Sequence, residues 1–240
     1  MKPEQKQEIL QLAKSWMRDE LIPAHKRKTE ELSNLKAFNI NHFLWPYLAY
    51  FLEGKMDSET LARVLILPRA LGPSINTMFG TRAQALITRL FAGNAYGSTT
   101  PGIDIEFIDQ IDGRRKYCQL KAGPNVINRD DVTTIREHFR ALQNLARTNH
   151  LPLQTTDMMF CLLYGEPDQK STFIRELEKD YIVSMGKDFW HRFTGDPDFY
   201  HDLIQAMGEV ATEVDMKKDI ERITKELATA IKQEYPDLDK

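Results

Sequence analysis

The most constraining feature of this 240-residue chain is a change of residue pattern at its centre, over residues 103–121. Apolar and polar residues alternate there as in a strand, whereas the flanking sequence follows the i, i+3, i+4 spacing of amphipathic helices. Asp112-Gly113 interrupts the alternation. This dipeptide favours a two-residue type I′ turn, which needs positive φ at both positions. The segment therefore predicts an antiparallel hairpin.

The turn also predicts how the two strands of the hairpin pair. A two-residue loop at 112–113 places Glu106 opposite Gln119 and Asp104 opposite Lys121. One face is then polar and the other apolar, the polar face comprising Asp104, Glu106, Gln119 and Lys121 and the apolar face Ile105, Phe107, Cys118 and Leu120. A slip of one residue would bury the charges and expose the hydrophobic side chains, so the pattern supports this register.

The rest of the chain predicts a mixed α/β fold, with a central sheet flanked by helices and with helical N- and C-terminal additions. The run MMFCLLY at 158–164 is continuous and apolar, as expected of a strand that is buried on both faces. Helical patterns occupy residues 4–20, 57–71, 80–91, 128–146, 171–179, 198–214 and 215–235. We predict one domain over 1–240, with a helical part at 1–75, a core at 76–165 and a helical part at 166–240.

Three local features sharpen these predictions. Residues 38–52, FNINHFLWPYLAYFL, are apolar and aromatic, and we assign them to the hydrophobic core. Asp57 or Ser58 can cap the helix that follows. Trp190 and Phe193 are also predicted to be core residues, followed by a turn.

The four polar side chains of the hairpin allow two interpretations. In the first, they form a solvated face with surface pairs that contribute little to stability. In the second, the Asp104 and Glu106 carboxylates and the Gln119 amide oxygen bind Mg²⁺, which takes oxygen ligands and usually only one or two protein carboxylates. Lys121 would then position an attacking water or stabilise charge on a phosphate. The turn-rich loops beside both strands favour the second interpretation.

At these residues the chain resembles the PD-(D/E)XK nuclease superfamily, whose signature is an acidic residue on one strand and acidic-x-Lys on its neighbour. The matching elements are Asp104 and Gln119-Leu120-Lys121. The string GSTTPGIDIEFIDQIDGRRKYCQLKAGPNVINRDDV, with the later GKDFWHRFTGDPDFY, is similar to type II restriction endonucleases of the PmeI group. The resemblance covers residues 75–210. It implies a restriction endonuclease-like core, a Mg²⁺ cofactor and cleavage of DNA.

The chain departs from the superfamily pattern at Gln119, where the signature has an acid. A neutral amide is a weaker Mg²⁺ ligand than a carboxylate, so another acid is needed. A Glu on the preceding helix serves in some such folds, but this helix carries Gln84. Glu106, on the same predicted face, is therefore our candidate for the missing ligand.

Residues that could contact DNA follow the lysine directly. Between Arg114 and Arg147 the chain has eight basic and three acidic residues, a net charge of 8 − 3 = +5. We predict that Asn125, Asn128, Arg129 and Arg136 bind DNA, with the arginines on phosphates and the asparagines near the backbone beside the cut. The alternatives are a turn with a helix N-cap for the asparagines and a solvated helix face for the arginines.

The bulk properties exclude several classes of protein. No apolar run reaches the roughly 18 residues that a membrane span needs, and the N-terminus lacks the apolar segment of a secretory signal. Cys118 and Cys161 lie in apolar stretches and are predicted to be buried thiols. A glycine-rich phosphate loop is absent, so we predict no nucleotide cofactor. These features favour a cytoplasmic protein.

We therefore interpret the chain as a Mg²⁺-dependent type II restriction endonuclease that hydrolyses both strands of a specific double-stranded DNA site. Cutting two strands of a palindromic site predicts a two-fold symmetric homodimer. The amphipathic tail at 215–235 is a candidate for its interface. The alternatives are a DNA repair nuclease and a catalytically inactive DNA-binding module on the same scaffold.

Overall fold

The computed structural model describes residues 1–92 and 95–236, and its five named strands form one sheet. The strands are β1 (Ala95–Gly97), β2 (Ile105–Ile108), β3 (Arg115–Lys121), β4 (Met158–Leu162) and β5 (Ile182–Met185). Their order in the sheet follows the chain. β1, β2 and β3 pair antiparallel, whereas β3, β4 and β5 are parallel. This mixed sheet with flanking helices confirms the predicted α/β class.

Ten α-helices are found in the described residues. They are α1 (Pro3–Trp16), α2 (Ile22–Glu30), α3 (Leu44–Glu53), α4 (Ser58–Ala70), α5 (Pro73–Leu90), α6 (Arg129–Thr148), α7 (Thr172–Leu177), α8 (Lys187–Thr194), α9 (Phe199–Val210) and α10 (Met216–Glu234). The Asp57 carboxylate caps α4 by accepting from the Thr60 backbone N–H at 2.8 Å, as predicted. None of the described helices is both long and apolar enough to cross a membrane.

The first predicted helix differs from the structure at its end. α1 stops at Trp16 and runs through a π-helical turn, Met17–Leu21, into α2. Pro23, which lies beyond the helix predicted at 4–20, is in the first turn of α2.

The chain divides into two compact units. One contains Met1–Trp16 and Gly80–Glu209, and the other contains Met17–Phe79 and Val210–Lys240. The sheet lies wholly in the first unit. α1 and the end of α5 also belong to it, so these boundaries differ from the three parts predicted from the sequence. The assignment of residues 1–240 to one domain stays a prediction.

In the first unit, helix α6 covers one face of the sheet. Asn128 caps α6 by accepting from the backbone N–H of Asp131 at 3.0 Å, and Asp131 accepts from the Asn128 N–H at 2.9 Å. The apolar stripe of α6 packs on β4, in a cluster that includes Val132, Ile135, Phe139, Met158 and Phe160. β4 is buried along its whole length, which confirms the predicted central strand.

The opposite face of the sheet packs against α8. The Phe107 ring lies 4.8 Å from the Phe193 ring, and the Trp190 indole N–H donates to the Leu163 carbonyl at 2.8 Å. Trp190 and Phe193, both in α8, are buried, as predicted. Cys118 and Cys161 are likewise buried free thiols. The sheet is therefore covered on both sides.

The predicted register of the hairpin is wrong by two residues. Ile105 lies opposite Cys118 and Glu106 opposite Tyr117, whereas the type I′ turn required Leu120 and Gln119 at those places. Because two residues are one period of a strand, every side chain keeps its predicted face. The polar face, however, is not solvated, since Glu106 and Gln119 are both only 6% exposed.

The cause of the shift is a longer turn that Asp109 stabilises. Asp109 and Arg114 close the turn: the Asp109 backbone N–H donates to the Arg114 carbonyl at 2.9 Å. The loop between them therefore has four residues instead of two. The buried Asp109 carboxylate accepts from the Ile111 N–H at 2.8 Å and from Arg192 at 3.0 Å. Gly113 has the expected positive φ of 70°, but Asp112 does not, so the turn is not type I′.

The second unit has its own hydrophobic core, formed mainly by α4 and α10. The stripe of α10 that includes Ile223, Leu227 and Ile231 is buried there, so it does not offer the dimer surface proposed for the tail. The prediction that residues 38–52 form core is wrong for most of α3. Only Trp45 and Ala49 of that helix are buried, and its other aromatic side chains are exposed.

Candidate active site

Asp104 lies at the edge of the sheet, directly before β2. Its backbone N–H donates to the Cys118 carbonyl at 3.0 Å, and its carboxylate accepts from the Leu120 backbone N–H at 2.7 Å. The Gln84 side chain donates to the Asp104 carbonyl at 2.6 Å. These three contacts fix the Asp104 carboxylate against the end of β3, beside Gln119-Leu120-Lys121.

Lys121 is the last residue of β3, and its ammonium group contacts a carboxylate from α6. Lys121 Nζ lies 3.2 Å from Asp131 Oδ1, and both side chains are partly exposed. Asp131 also belongs to the capping box of α6, so the helix N-terminus and the lysine share one carboxylate. Strand β3 and helix α6 thus bring a second acid to the predicted site.

Glu106 is placed in a different set of contacts. Its carboxylate accepts from Ser98 Oγ at 2.6 Å and from Tyr96 Oη at 3.1 Å, and it lies 3.2 Å from the Arg115 guanidinium. The predicted pair with Gln119 is not formed. The geometric reason for assigning Glu106 to the metal site is therefore lost, and its role as a ligand stays a prediction.

Gln119 and His138 complete the surroundings of Asp104. Gln119 Nε2 donates to the Ile135 carbonyl of α6 at 3.4 Å. The His138 ring packs on Gly102, whose φ is +78° and where an added Cβ would come within 2.2 Å of the ring. The buried Nδ1 of His138 has no hydrogen-bond partner in the described part of the chain. His138 thus packs against the loop that leads into Asp104.

The residues predicted to contact DNA are exposed to different degrees. Asn125 is exposed, whereas the Asn128 side chain is used in the N-cap, as the alternative interpretation expected. Arg129 pairs with Glu176 at 2.6 Å. Arg136 also pairs with Glu176, at 2.8 Å, and with a second acid. Glu176 of α7 and Asp180, three residues after that helix ends, thus neutralise part of the basic stretch.

The two acids beside Lys121 have opposite pKa shifts. Burial raises the pKa of the Asp104 carboxyl above its ordinary value, against the opposing effects of the Leu120 N–H and of positive charge on Lys121 and His138. Burial would also raise the pKa of Asp131, but hydrogen bonds from the Asn128 N–H and from Lys121 hold it below its ordinary value.

These shifts predict opposite stability effects for two matched variants. A raised folded-state pKa means that the ionised Asp104 destabilises the fold at neutral pH. We expect Asp104→Asn to raise the melting temperature at pH 7, with the gain vanishing as the pH falls through the pKa of Asp104. Asp131→Asn should lower the melting temperature at pH 7, and its deficit should also shrink in acid. Melting curves between pH 3 and 8 test both predictions. A lower melting temperature of Asp104→Asn at pH 7 would contradict a raised pKa of the Asp104 carboxyl.

The donor set at this edge fits a hard cation. Among the described residues no three His, Cys, Asp or Glu side chains form a ready-made metal cage. Mg²⁺ does not need one, because it keeps several waters and takes one or two protein carboxylates together with substrate phosphate. The candidate carboxylates are Asp104, held by the Leu120 N–H, and Asp131, paired with Lys121.

A mixed sheet with an acid and a lysine at the ends of adjacent strands defines a restriction endonuclease-like α/β protein. The chain matches the family model of the Type II restriction endonuclease EcoO109I over residues 11–215, and it belongs to this family. It is therefore a restriction endonuclease, a nuclease that acts on double-stranded DNA. A search of curated proteins finds no match to the chain. Similarity to the PmeI group and membership of the PD-(D/E)XK superfamily stay predictions.

Sequence reasoning missed Asp131. It was counted only as one of the charges that oppose the basic stretch, although Asn128 three residues before it is a recognisable N-cap. A capping box fixes the direction of the first turn of α6. That signal places Asp131 at the helix start, but its contact with Lys121 depends on how α6 packs over β3.

Proposed function

We propose that the chain is a Mg²⁺-dependent type II endonuclease of the PD-(D/E)XK kind, which hydrolyses both strands of a specific DNA site. The proposal is supported by two contacts at the end of β3: the Asp104 carboxylate accepts from the backbone N–H of Leu120, and the next residue, Lys121, pairs with Asp131. Cleavage of plasmid DNA by purified protein, with Mg²⁺ and with a chelator, tests it. Cleavage that persists in the chelator would contradict the metal requirement.

The proposed chemistry divides between the metal and the side chains. Bound Mg²⁺ would polarise a phosphoryl oxygen and lower the pKa of a bound water. Asp104 and Asp131 would hold the ion. The Lys121 ammonium group can orient the attacking water or donate to a non-bridging oxygen as negative charge develops on the phosphate. Hydrolysis joins the water oxygen to phosphorus and releases one bridging oxygen as a hydroxyl group.

We propose that Asp131, in place of Glu106, is the second carboxylate. Glu106 is nearly fully buried and its carboxylate already contacts three groups, whereas Asp131 is partly exposed beside Lys121. Asp131→Asn should raise the Mg²⁺ concentration needed for half-maximal single-turnover cleavage by about tenfold or more, as is found when groups around a metal are lost. Glu106→Gln should leave this concentration nearly unchanged.

A second measurement makes this test independent of activity. Mg²⁺ that binds only the folded protein raises its melting temperature. We expect Mg²⁺ to raise the melting temperature of the wild type and of Glu106→Gln, but much less that of Asp131→Asn and Asp104→Asn. Asp131→Asn could instead cleave more slowly at saturating Mg²⁺ while Mg²⁺ raises its melting temperature as much as that of the wild type. That result would mean that Asp131 only positions Lys121 and does not bind the ion. A large shift in Mg²⁺ demand for Glu106→Gln would restore Glu106 as the ligand.

Arg129, Arg136 and the asparagines remain proposed DNA contacts. Arg129 is the best supported of these contacts, because its side chain is 66% exposed at the start of α6, eight residues after Lys121. On binding a DNA phosphate, the Arg129 guanidinium would give up its ion pair with Glu176. We also propose that the active assembly is a homodimer, since one site per protomer is needed to cut both strands.

A further inference from the structure

An exposed aromatic side chain near the candidate site has no part in the proposed chemistry. Tyr164 follows the end of β4 by two residues and is 43% exposed. Its ring packs on Gly123, where an added Cβ would overlap ring atoms and the hydroxyl oxygen. The hydroxyl has no hydrogen-bond partner among the residues that the structure describes. Tyr164 thus presents an unpaired donor to solvent.

Tyr164 lies at the same end of the sheet as Lys121. Leu162, the last residue of β4, pairs with Lys121 in the parallel ladder. The ladder is extended by a hydrogen bond of 3.1 Å from the Tyr164 N–H to the Ala122 carbonyl. The ring rests on Gly123, two residues after Lys121, and two residues of backbone span at most about 7 Å. The phenol and the ammonium group can therefore contact the same stretch of a bound ligand.

The loops that hold the ring are closely packed. Gly165 has a φ of +128°, and a Cβ added there would come within 3.2 Å of Pro124, in the loop after β3. Gly123 does not have a positive φ, so the Tyr164 ring alone excludes a side chain at that position. A ring that is already held in place loses little conformational freedom when its hydroxyl binds a ligand.

The chemistry of the hydroxyl restricts what it can bind at this end of the sheet. A phenol donates one hydrogen bond through its O–H, and tyrosine is among the side chains that contact DNA phosphates. Residues 163–169 contain two acids and no Lys or Arg. A phosphate contact from this loop is therefore a neutral hydrogen bond, which adds affinity without the release of counterions that accompanies Lys and Arg contacts.

We propose that the Tyr164 hydroxyl donates to a phosphate oxygen of the DNA backbone close to the bond that is cut. The proposal rests on the proposed function for the identity of the ligand. The hydroxyl binds a phosphate that does not react, so it should hold the DNA equally well before and during hydrolysis and contribute to affinity. Lys121, in contrast, acts on the reacting phosphate.

Tyr164→Phe tests the contact, because it removes the hydroxyl and leaves the ring on Gly123. The affinity for DNA should fall by about tenfold or more, the usual effect of losing a hydrogen bond to a charged group. Cleavage should fall at low protein concentration and recover in excess protein, and the melting temperature should not change. Gel-shift titration of a labelled plasmid fragment, in a chelator that prevents cleavage, measures the affinity. Tyr47→Phe removes the same atom from a tyrosine that is 59% exposed in the second unit, and it should bind like the wild type.

Two further measurements separate the hydroxyl from other causes of weak binding. Tyr164→Phe should leave the slope of log affinity against log salt unchanged, whereas Arg129→Ala should make it shallower. Gly123→Ala should displace the ring and weaken binding in the otherwise wild-type chain. It should have little further effect when it is combined with Tyr164→Ala, because the ring that it displaces is then absent.

Wild-type affinity of Tyr164→Phe would overturn the proposal, and a loss seen only in Tyr164→Ala would assign the contact to the ring. Cleavage by Tyr164→Phe that stays slow in excess protein would also overturn it, since the hydroxyl would then act on the reaction. A wild type that binds the fragment but does not cut it in Mg²⁺ would contradict the proposed function. The Tyr164 contact would still hold in that case if Tyr164→Phe bound the fragment about tenfold more weakly.

Discussion

The Lys121→Ala variant is expected to lose DNA cleavage by about 100- to 1000-fold, the cost of removing one group that stabilises developing charge. Lys121 ends β3 with a partly exposed ammonium group whose ion pair is with Asp131. Truncation at this edge leaves no buried cavity, so folding and DNA binding should persist. Single-turnover cleavage and gel-shift binding measure the two effects separately.

Lys179→Ala is the matched control for that variant. Lys179 is exposed in the same unit and forms no ion pair with a described residue. The Lys179→Ala substitution removes one positive charge away from the candidate site, so cleavage should stay at the wild-type rate. Near-normal cleavage by Lys121→Ala would show that the lysine is not in the active site, whatever the control does.

Lys116→Met is expected to cause the largest loss of stability, about 3 kcal/mol or more, the usual cost of removing one partner of a buried ion pair. Lys116 is fully buried. Its ammonium group lies 2.6 Å from Asp112, 3.0 Å from the Thr156 carbonyl and 3.5 Å from the buried Asp157. In the variant, the Asp157 carboxylate keeps Arg114 and the Gln154 backbone N–H but loses the buried ammonium group. Urea unfolding at neutral pH gives the change in the free energy of unfolding.

Lys217→Met serves as the control for this loss, since Lys217 is almost fully exposed and pairs weakly with Glu221. Its unfolding curve should overlay that of the wild type. If Lys116→Met were as stable as this control, the ion pairs of Lys116 with Asp112 and Asp157 would contribute nothing to the free energy of unfolding.

The sheet could be predicted from sequence where burial alone decides the pattern. β4 is recognisable because a strand covered on both faces is continuously apolar, and α6 is recognisable by its Asn128 cap and its stripe. The faces of the hairpin were also predicted correctly, since alternation fixes them. These features depend on local chemistry and on period, which the sequence carries directly.

The features that failed depend on side chains far apart in the chain. The register of the hairpin follows from the buried Asp109 carboxylate and its bond to Arg192, which no turn rule anticipates. The acid that we propose in place of Glu106 lies on α6, and its contact with Lys121 depends on how α6 packs over β3. Residues 38–52 were assigned to the core because they are apolar, but apolarity alone does not show that only Trp45 and Ala49 of α3 are buried.

Sequencing the DNA ends that the purified protein leaves on a plasmid in Mg²⁺ tests the proposed endonuclease most directly. We expect ends at one short repeated sequence, with both strands cut at a constant offset. The same ends should be nearly absent for Lys121→Ala and in a chelator. Ends scattered over the plasmid, or identical ends from Lys121→Ala, would contradict a site-specific endonuclease built on Asp104 and Lys121.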